Sequence, residues 1–406
     1  AIAQVGGYYM EEVRRQLIDQ FGETPEDGPL SVYGGGLWVR TAYDGKMQQA
    51  TTNALRRGLI RYDAGKGWSG PIATIEADDQ WQSGLASSFI GIDYDQWRIA
   101  AVLSKSASAA RIGFANGDTG SLPASAAQLG YRKSGGPAFS ALRPGDLIAV
   151  RATAPGVYQL KNIPEVSGGM VVESPHSGRI YAMQGGFDVR LSPFNRATQA
   201  ERQPGSTIKP FVYAAALDNG MTPATMIVDG PFCVYQGAHL GNKCFRNFGG
   251  GGGSGEHTMR WGLEQSRNLM TVRTASQIGM EPIVETIQTM GIGKHEPYLS
   301  TALGAGSTTV EKMTNAFSML ANHGRELKPR LIDYAQDRRG KVIFPKNWRA
   351  CDGCNMKDWD GKPMPRFAPS GKQLMDPMTA YQVVHMLEGV VQRGTAVRLR
   401  DLGVPL

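Results

Sequence analysis

The sequence predicts an α+β protein interrupted by a small all-β barrel. Three observations carry that prediction. Segments with helical apolar spacing stand near the start, at residues 8–21 and 45–63. Between about residues 66 and 160 the texture changes to short β-like runs separated by polar turns. A hairpin signal and then a series of helices follow, which is the order of an α+β domain. At 406 residues the chain has room for two to three ordinary domains. We divide it into residues 1–65, holding a linker and the first strand and helix of the larger domain; residues 66–160, the barrel insertion; and residues 161–406, the rest of the larger domain.

The elements follow in order. "YYMEEVRRQLIDQF" places Tyr9, Val13, Leu17 and Phe21 at helical spacing with charges between them, an amphipathic helix. "GGGLWVRTAYD" reads as a strand entering a turn, and "GKMQQATTNALRRGLIRYD" as a second helix. The barrel runs are "QWRIAAVLSKS", the alternation from Ala109 to Gly117, "TGSLPAS" and "LRPGDLIAVRATA". Asn116-Gly117 and Pro144-Gly145-Asp146 supply turns between them. Short strands with polar turns fit a barrel of the oligonucleotide/oligosaccharide-binding kind. Two apolar runs flank "SPHSGR", a hairpin signal. The next helix holds Ser206 and Lys209 and stops at Asn219-Gly220. Later helices are predicted at about 258–279, 281–291, 309–323 and 376–393. "GGGGGSGEH" at Gly249 to His257 is a loop too short to be a domain linker.

Composition narrows the function classes. A chain that is 41% hydrophobic and 19% charged supports a packed core rather than disorder. The net charge of +7 is spread along the chain rather than gathered in a basic run, which argues against nucleic-acid binding. No run of about 18 apolar residues occurs, so no transmembrane helix is predicted. Both ends read as cut from something longer, with an anchor outside this segment left open. The cysteines form two close pairs, Cys233/Cys244 and Cys351/Cys354. In an exported protein these read as two local disulfides, although four cysteines allow three pairings. A single four-cysteine zinc site is the alternative, but only one pair has the C-x-x-C spacing. A redox role for Cys351/Cys354 is disfavoured, because no βαβ pattern surrounds them. No cofactor and no metal are called for.

Two motifs bear on chemistry. In "RQPGSTIKPFVY", Ser206 and Lys209 lie three apart and so share a helix face. Pro210 has no N–H, so the Ser206 carbonyl lacks its usual helical partner and Ser206 must open the helix. There the dipole is positive and free amides point outward, which suits a nucleophile whose attack creates an oxyanion. The helix beyond is apolar nearly all round, so Lys209 should be buried, lowered in pKa and able to act as a base. By chance alone, S-x-x-K appears about once or twice in a chain of this length, and a wet helix face is the plainer reading. The second motif is "EQSRNLMTV", with Ser266 and Asn268 two apart. In an extended or turn segment both point to one side. The serine could relay a proton and the amide could hold a peptide-like substrate. Its plainer reading is a helix cap.

Together, S-x-x-K and S-x-N resemble the motif set of penicillin-binding proteins and class A β-lactamases, whose full set adds K-T-G. "FNRATQAERQPGSTIKPFVYAAALDNG", "LEQSRNLMTVRTA", "ALGAGSTTVEKMTNAFSMLANHG" and "MDPMTAYQVVHMLEGVVQRGTA" resemble the transpeptidase domain of bifunctional class A penicillin-binding proteins of the Gram-negative 1A type. "EEVRRQLIDQFG", "RRGLIRYDAGKGWSGP" and the β-rich insertion are similar to that type's linker and OB-like accessory domain.

The resemblance implies a penicillin-binding/serine β-lactamase-like fold. It implies a periplasmic enzyme, anchored upstream in the inner membrane, that cross-links peptidoglycan stem peptides ending in D-Ala-D-Ala and is acylated by β-lactams. Ser206 would be the nucleophile, Lys209 the base, Ser266 the proton relay and Asn268 the substrate ligand. Partners would include an outer-membrane lipoprotein activator or elongation-machinery proteins. Two departures stand out. Arg267 replaces the Asp of S-D-N and should point away from the site. The K-T-G strand, which the family places just after "GVVQRGTAVRLRDLGVP", and the glycosyltransferase domain expected before residue 1 are absent from this sequence.

Rival readings are a β-lactamase or D,D-carboxypeptidase, where water replaces the acceptor amine, and a catalytically silent penicillin sensor or scaffold. In a third, the barrel is a binding module for glycan or protein whose Trp81, Phe89, Tyr94 and Trp97 form a stacking surface, against the plainer reading that they pack in the core.

Overall fold

The computed structural model describes residues 7–235, 239, 241–346, 358, 361 and 371–404. The Cys351/Cys354 pair lies outside them. The chain divides into two compact units that interleave in sequence. The first comprises Ala1–Arg15, Asp44–Met170 and Ala182–Ala197; the second comprises Gln16–Tyr43, Val171–Tyr181 and Thr198–Leu406. The predicted helix at 45–63 therefore belongs with the barrel unit. No described helix is long and apolar enough to cross a membrane.

In the first unit five strands close on themselves: Trp97–Lys105, Ala109–Gly113, Thr119–Pro123, Asp146–Ala154 and Val157–Lys161. Trp97–Lys105 pairs antiparallel with both Asp146–Ala154 and Ala109–Gly113. The closing contact is parallel, at Ser121 opposite Val157. Alternate residues point inward, so Val102, Ile112, Leu122, Ile148 and Leu160 form a dry core with Phe114. Sequence reasoning found four of the five strands but missed Val157–Lys161 and the short helix Trp81–Ser87.

The four barrel aromatics do not form one surface. The Trp81 ring packs over Gly113, where a Cβ would meet it at 2.4 Å. Tyr94 and Trp97 cluster with Phe187, with centroids 5.1–6.2 Å apart, and Arg56 lies over two of the rings. Only Phe89 stands in solvent, at 85% exposure. Core and local packing thus account for three of the four, and the stacking surface is set aside.

Helix Gly45–Asp63 is capped by Asp44, whose carboxylate accepts from Met47 N at 2.8 Å. On this helix Arg56 meets the buried Asp188 at 3.1 Å. At its end, buried Asp63 accepts from Arg132 and from Asn162.

The second unit centres on helix Lys209–Asp218, in which every residue from Lys209 to Leu217 is buried. Its apolar circumference requires cover on all sides. Helices Asn268–Ile278, Glu281–Thr289 and Pro377–Gln392 supply it, with Val310–Ala321 in the same core. The helix ends as its Asn219-Gly220 signal predicts. Gly220 takes φ 88° and donates to Leu217 O, and Met221 donates to Ala216 O, a Schellman closure. Strand Trp38–Thr41 pairs antiparallel with Ile332–Gln336, which pairs in turn with Val342–Phe344.

The single helix predicted at about 258–279 is two, Met259–Glu264 and Asn268–Ile278. The break falls at Ser266, which takes φ 51°. Apolar periodicity continues through both helices, so a three-residue break leaves no trace in the pattern.

Ile148 is 1% exposed in the barrel core. Ile148→Ala should cost about 2–5 kcal/mol of stability, read by urea denaturation. A loss below about 1 kcal/mol would mean that the barrel is not packed as described.

Candidate active site

Ser206 lies in a 3₁₀ turn, Gly205–Ile208, that leads into helix Lys209–Asp218. The turn follows from Pro210, which cannot bond the Ser206 carbonyl; Lys209 N bonds it instead, closing an i→i+3 ring. In such a turn residues i and i+3 eclipse, so Ser206 and Lys209 share one face. The Ser206 amide belongs to the first turn, where N–H groups have no intrahelical partner.

The chain before Ser206 is pinned by a second segment. Arg202 and Thr308 exchange backbone hydrogen bonds at 2.8 and 2.9 Å. Gln203 Nε2 donates to Ala305 O at 2.8 Å. Gly304, at φ 79°, lies so close that a Cβ there would fall 2.2 Å from Gly205 O. Glycine is required at position 304 by both conformation and proximity.

Lys209 is 0% exposed. Its Nζ donates to Ser266 O at 2.7 Å, Asn268 Oδ1 at 2.7 Å and Ser266 Oγ at 3.2 Å. The left-handed turn at Ser266 presents both its carbonyl and its hydroxyl to one amine. Neither Ser266 nor Asn268 is a helix cap; the N-cap of Asn268–Ile278 is Arg267, whose side chain makes no capping bond. Asn268 turns Oδ1 to the lysine and donates through Nδ2 to Arg246 O at 3.0 Å. Burial, followed by the nearby Arg267 guanidinium, lowers the Lys209 pKa from 10.5 to about 8.

Of the four predicted site residues, the fold brings Lys209, Ser266 and Asn268 into direct contact. Ser206 shares the lysine's face but is exposed, and its hydroxyl makes no hydrogen bond among the described residues. The S-x-N loop occupies all three bonding directions of the amine.

Arg267 points away from Lys209, as the sequence suggested, and its destination is Asp229. Nε and Nη2 reach Asp229 Oδ2 at 2.9 and 2.6 Å. Asp229, Asn247 and Arg246 were missed by sequence reasoning. A lone aspartate at a strand end carries no motif, and the only clue was that Arg267 on a buried loop would need a counter-charge. Cys233 and Cys244 form a disulfide between paired strands, directly opposite in register. That bond rules out the single four-cysteine zinc site.

A family model for the penicillin-binding protein transpeptidase domain matches residues 168–406. The chain belongs to the penicillin-binding protein transpeptidase family. The OB-like domain model of penicillin-binding proteins matches residues 68–166, the closed barrel. Penicillin-binding protein 1A of Rickettsia prowazekii is 37% identical over 98% of the chain and 50% of the relative. Penicillin-binding protein 1A of Neisseria flavescens is 30% identical over 99% of the chain and 48% of the relative. The chain thus spans about half the length of these curated relatives. Among solved structures, penicillin-binding protein 1A from Haemophilus influenzae is similar at TM-score 0.75 and 27% identity, covering 97% of this chain and 60% of that one. PonA1 from Mycobacterium tuberculosis, at 18% identity and TM-score 0.55 over 95% of this chain and 70% of that one, shares the fold.

Two outcomes follow from this geometry. Gly304→Ala should destabilise the chain by about 1–3 kcal/mol and slow any reaction at Ser206 by displacing Gly205; a wild-type melting curve would contradict the close approach. Lys209 binds its proton more weakly when folded, so the unfolded chain holds that proton to higher pH. Its contribution to stability should be full above pH 10.5 and lost as pH falls to about 8. Urea unfolding across that window should show the slope, and Lys209→Met should remove it.

Proposed function

We propose that this chain carries a serine D,D-transpeptidase site that cross-links peptidoglycan stem peptides through an acyl-enzyme at Ser206. The observation that carries the reading is the buried Lys209 amine, held by the S-x-N loop beside the turn that presents Ser206. Two of its acceptors, the Ser266 carbonyl and Asn268 Oδ1, can only accept; the Ser266 hydroxyl can accept or donate. The same geometry therefore serves an ammonium with three donors and a neutral amine with two. That dual fit is what a proton-carrying base needs.

In this mechanism neutral Lys209 takes the Ser206 proton as Oγ attacks the carbonyl of the penultimate D-Ala. The Ser206 amide donates to the oxyanion, at the positive end of its helix. As the C–N bond breaks, the proton passes from Lys209 through the Ser266 hydroxyl to the departing D-Ala amine. The product is an ester on Ser206. An acceptor amine from a second stem attacks that ester, its lost proton returns through Lys209, and Ser206 is regenerated. Asn268 holds the donor peptide amide. Lys209 reaches Ser206 by exchanging one loop acceptor for the serine hydroxyl; catalytic hydrogen bonds commonly tighten only once substrate is bound. β-Lactams present a strained amide in the place of D-Ala-D-Ala and acylate the same serine.

This reading places the site on the periplasmic face of the inner membrane, held there by an anchor outside this chain. An outer-membrane lipoprotein activator or elongation-machinery proteins are the partners it implies.

Fluorescent penicillin tests the assignment on the full-length protein that carries this chain. Ser206→Ala should abolish labelling; labelling that survives would sink Ser206 as nucleophile. The acylation rate should climb about tenfold per pH unit and level off above pH about 8 as Lys209 loses its proton. A profile flat from pH 6 to 9 would remove Lys209 as the base.

A further inference from the structure

The S-x-N loop reaches Lys209 only because something behind it holds it there, and that support converges on one carboxylate. Asp229 ends strand Met226–Asp229, opposite Gly255, and its side chain is 0% exposed. Four side-chain or backbone groups from three other segments donate to it besides Arg267 Nη2. Asn247 Nδ2 reaches Oδ1 at 2.8 Å. Ser254 donates to Oδ2 through its amide at 3.0 Å and its hydroxyl at 2.9 Å. Arg267 Nε and Nη2 complete the set at 2.9 and 2.6 Å. Burial raises the Asp229 pKa, but the hydrogen bonds from Arg267, Asn247 and Ser254 lower it by more, so the group stays ionised.

Each spoke leads back to the site. Arg267 sits between Ser266 and Asn268, so fixing its guanidinium fixes the residues on either side. Asn247 accepts from Leu269 N at 3.2 Å, one of the free amides in the first turn of helix Asn268–Ile278. The neighbouring Arg246 carbonyl receives Asn268 Nδ2. The Asn268 carboxamide is thereby held at both ends, with its oxygen on Lys209. Tyr213, one turn along the lysine's own helix, bonds Thr271 at 3.2 Å and also feels the Asp229 charge.

We propose that Asp229 is a positioning residue for acylation: through Arg267 and Asn247 it orients the Ser266 hydroxyl and the Asn268 carboxamide on the Lys209 amine. This rests on the reading of the site given above. Among the described residues Asp229 makes no hydrogen bond to Lys209 or Ser206, so its effect must pass through the loop.

The test is penicillin acylation by the full-length protein, followed as both rate and amplitude. In Asp229→Asn the NH2 that replaces one carboxylate oxygen opposes either the Asn247 donor at Oδ1 or the Ser254 and Arg267 donors at Oδ2. The rate per labelled molecule should fall about tenfold or more. A merely structural role would instead shrink the labelled fraction and leave the rate of the remainder unchanged. A double-mutant cycle supplies the second readout. Adding Asp229→Asn to Asn268→Ala should cost less than about threefold further, because the group it orients is already gone. Where Asp229→Asn does not fold, Asn247→Ala removes one spoke and should slow acylation about threefold or more, again without an additive effect in the Asn268→Ala background. A wild-type rate in the folded variants, or full additivity with Asn268→Ala, overturns the proposal. Ser206→Ala keeps the two readings apart. If it still labels, the nucleophile is wrong; if it is silent while Asp229→Asn labels at the wild-type rate, only the role of Asp229 is lost.

Discussion

The site depends on keeping one amine out of water without leaving it unpartnered. Moving an ammonium into a dry interior is costly, and a buried lysine persists only where acceptors surround it or where it gives up its proton. Lys209 has both recourses. Three oxygens of the S-x-N loop lie within hydrogen-bond reach of Nζ. Its pKa is low enough that the neutral form is accessible near physiological pH. The helix that carries it, buried from Lys209 to Leu217, keeps water from relieving the constraint. Moving the loop away would leave a charged group buried without partners, so lysine and loop hold each other in place.

That constraint accounts for one strained residue of the fold, Ser266. Ser266 takes a left-handed conformation although it is not glycine, which costs on the order of 1–3 kcal/mol. The turn is held by backbone bonds from Ser266 to Leu263 and from Arg267 to Gly262. On the other wall, Pro210 forces a 3₁₀ turn, and Gly205 and Gly304 bring two backbones into contact so that Ser206 is presented outward.

The same solution to buried charge recurs through the chain. Asp63 meets Arg132 and Asn162, Asp188 meets Arg56, and Asp229 meets Arg267 and Asn247. Glu264 takes Arg393. Each buried carboxylate ties segments distant in sequence, and removing either partner would leave an uncompensated charge. Such pairs add little net stability over an apolar substitute, but they specify one arrangement of the segments they join.

Much of this was legible in the residues. Residue patterning placed helices 8–21 and 45–63 to within about a residue, whereas the helix of Lys209, read as opening at Ser206, becomes α-helical only at Lys209 after a 3₁₀ turn. Pro210 by itself required Ser206 to open its helix, and the apolar run behind it required Lys209 to be buried. Both are local consequences of covalent geometry and of burial. Other features were not legible, because no local rule encodes them. The break at Ser266 interrupts no periodicity. The strand Val157–Lys161 is defined by the barrel it closes. Asp229, Asn247 and Arg246 carry no motif, and they matter only because folding brings residues 18 to 38 positions apart onto one carboxylate. Which oxygens the lysine amine would meet was decided by tertiary structure alone, since a hydrogen bond is a matter of ångströms in space and the chain order sets only which groups are available to make it.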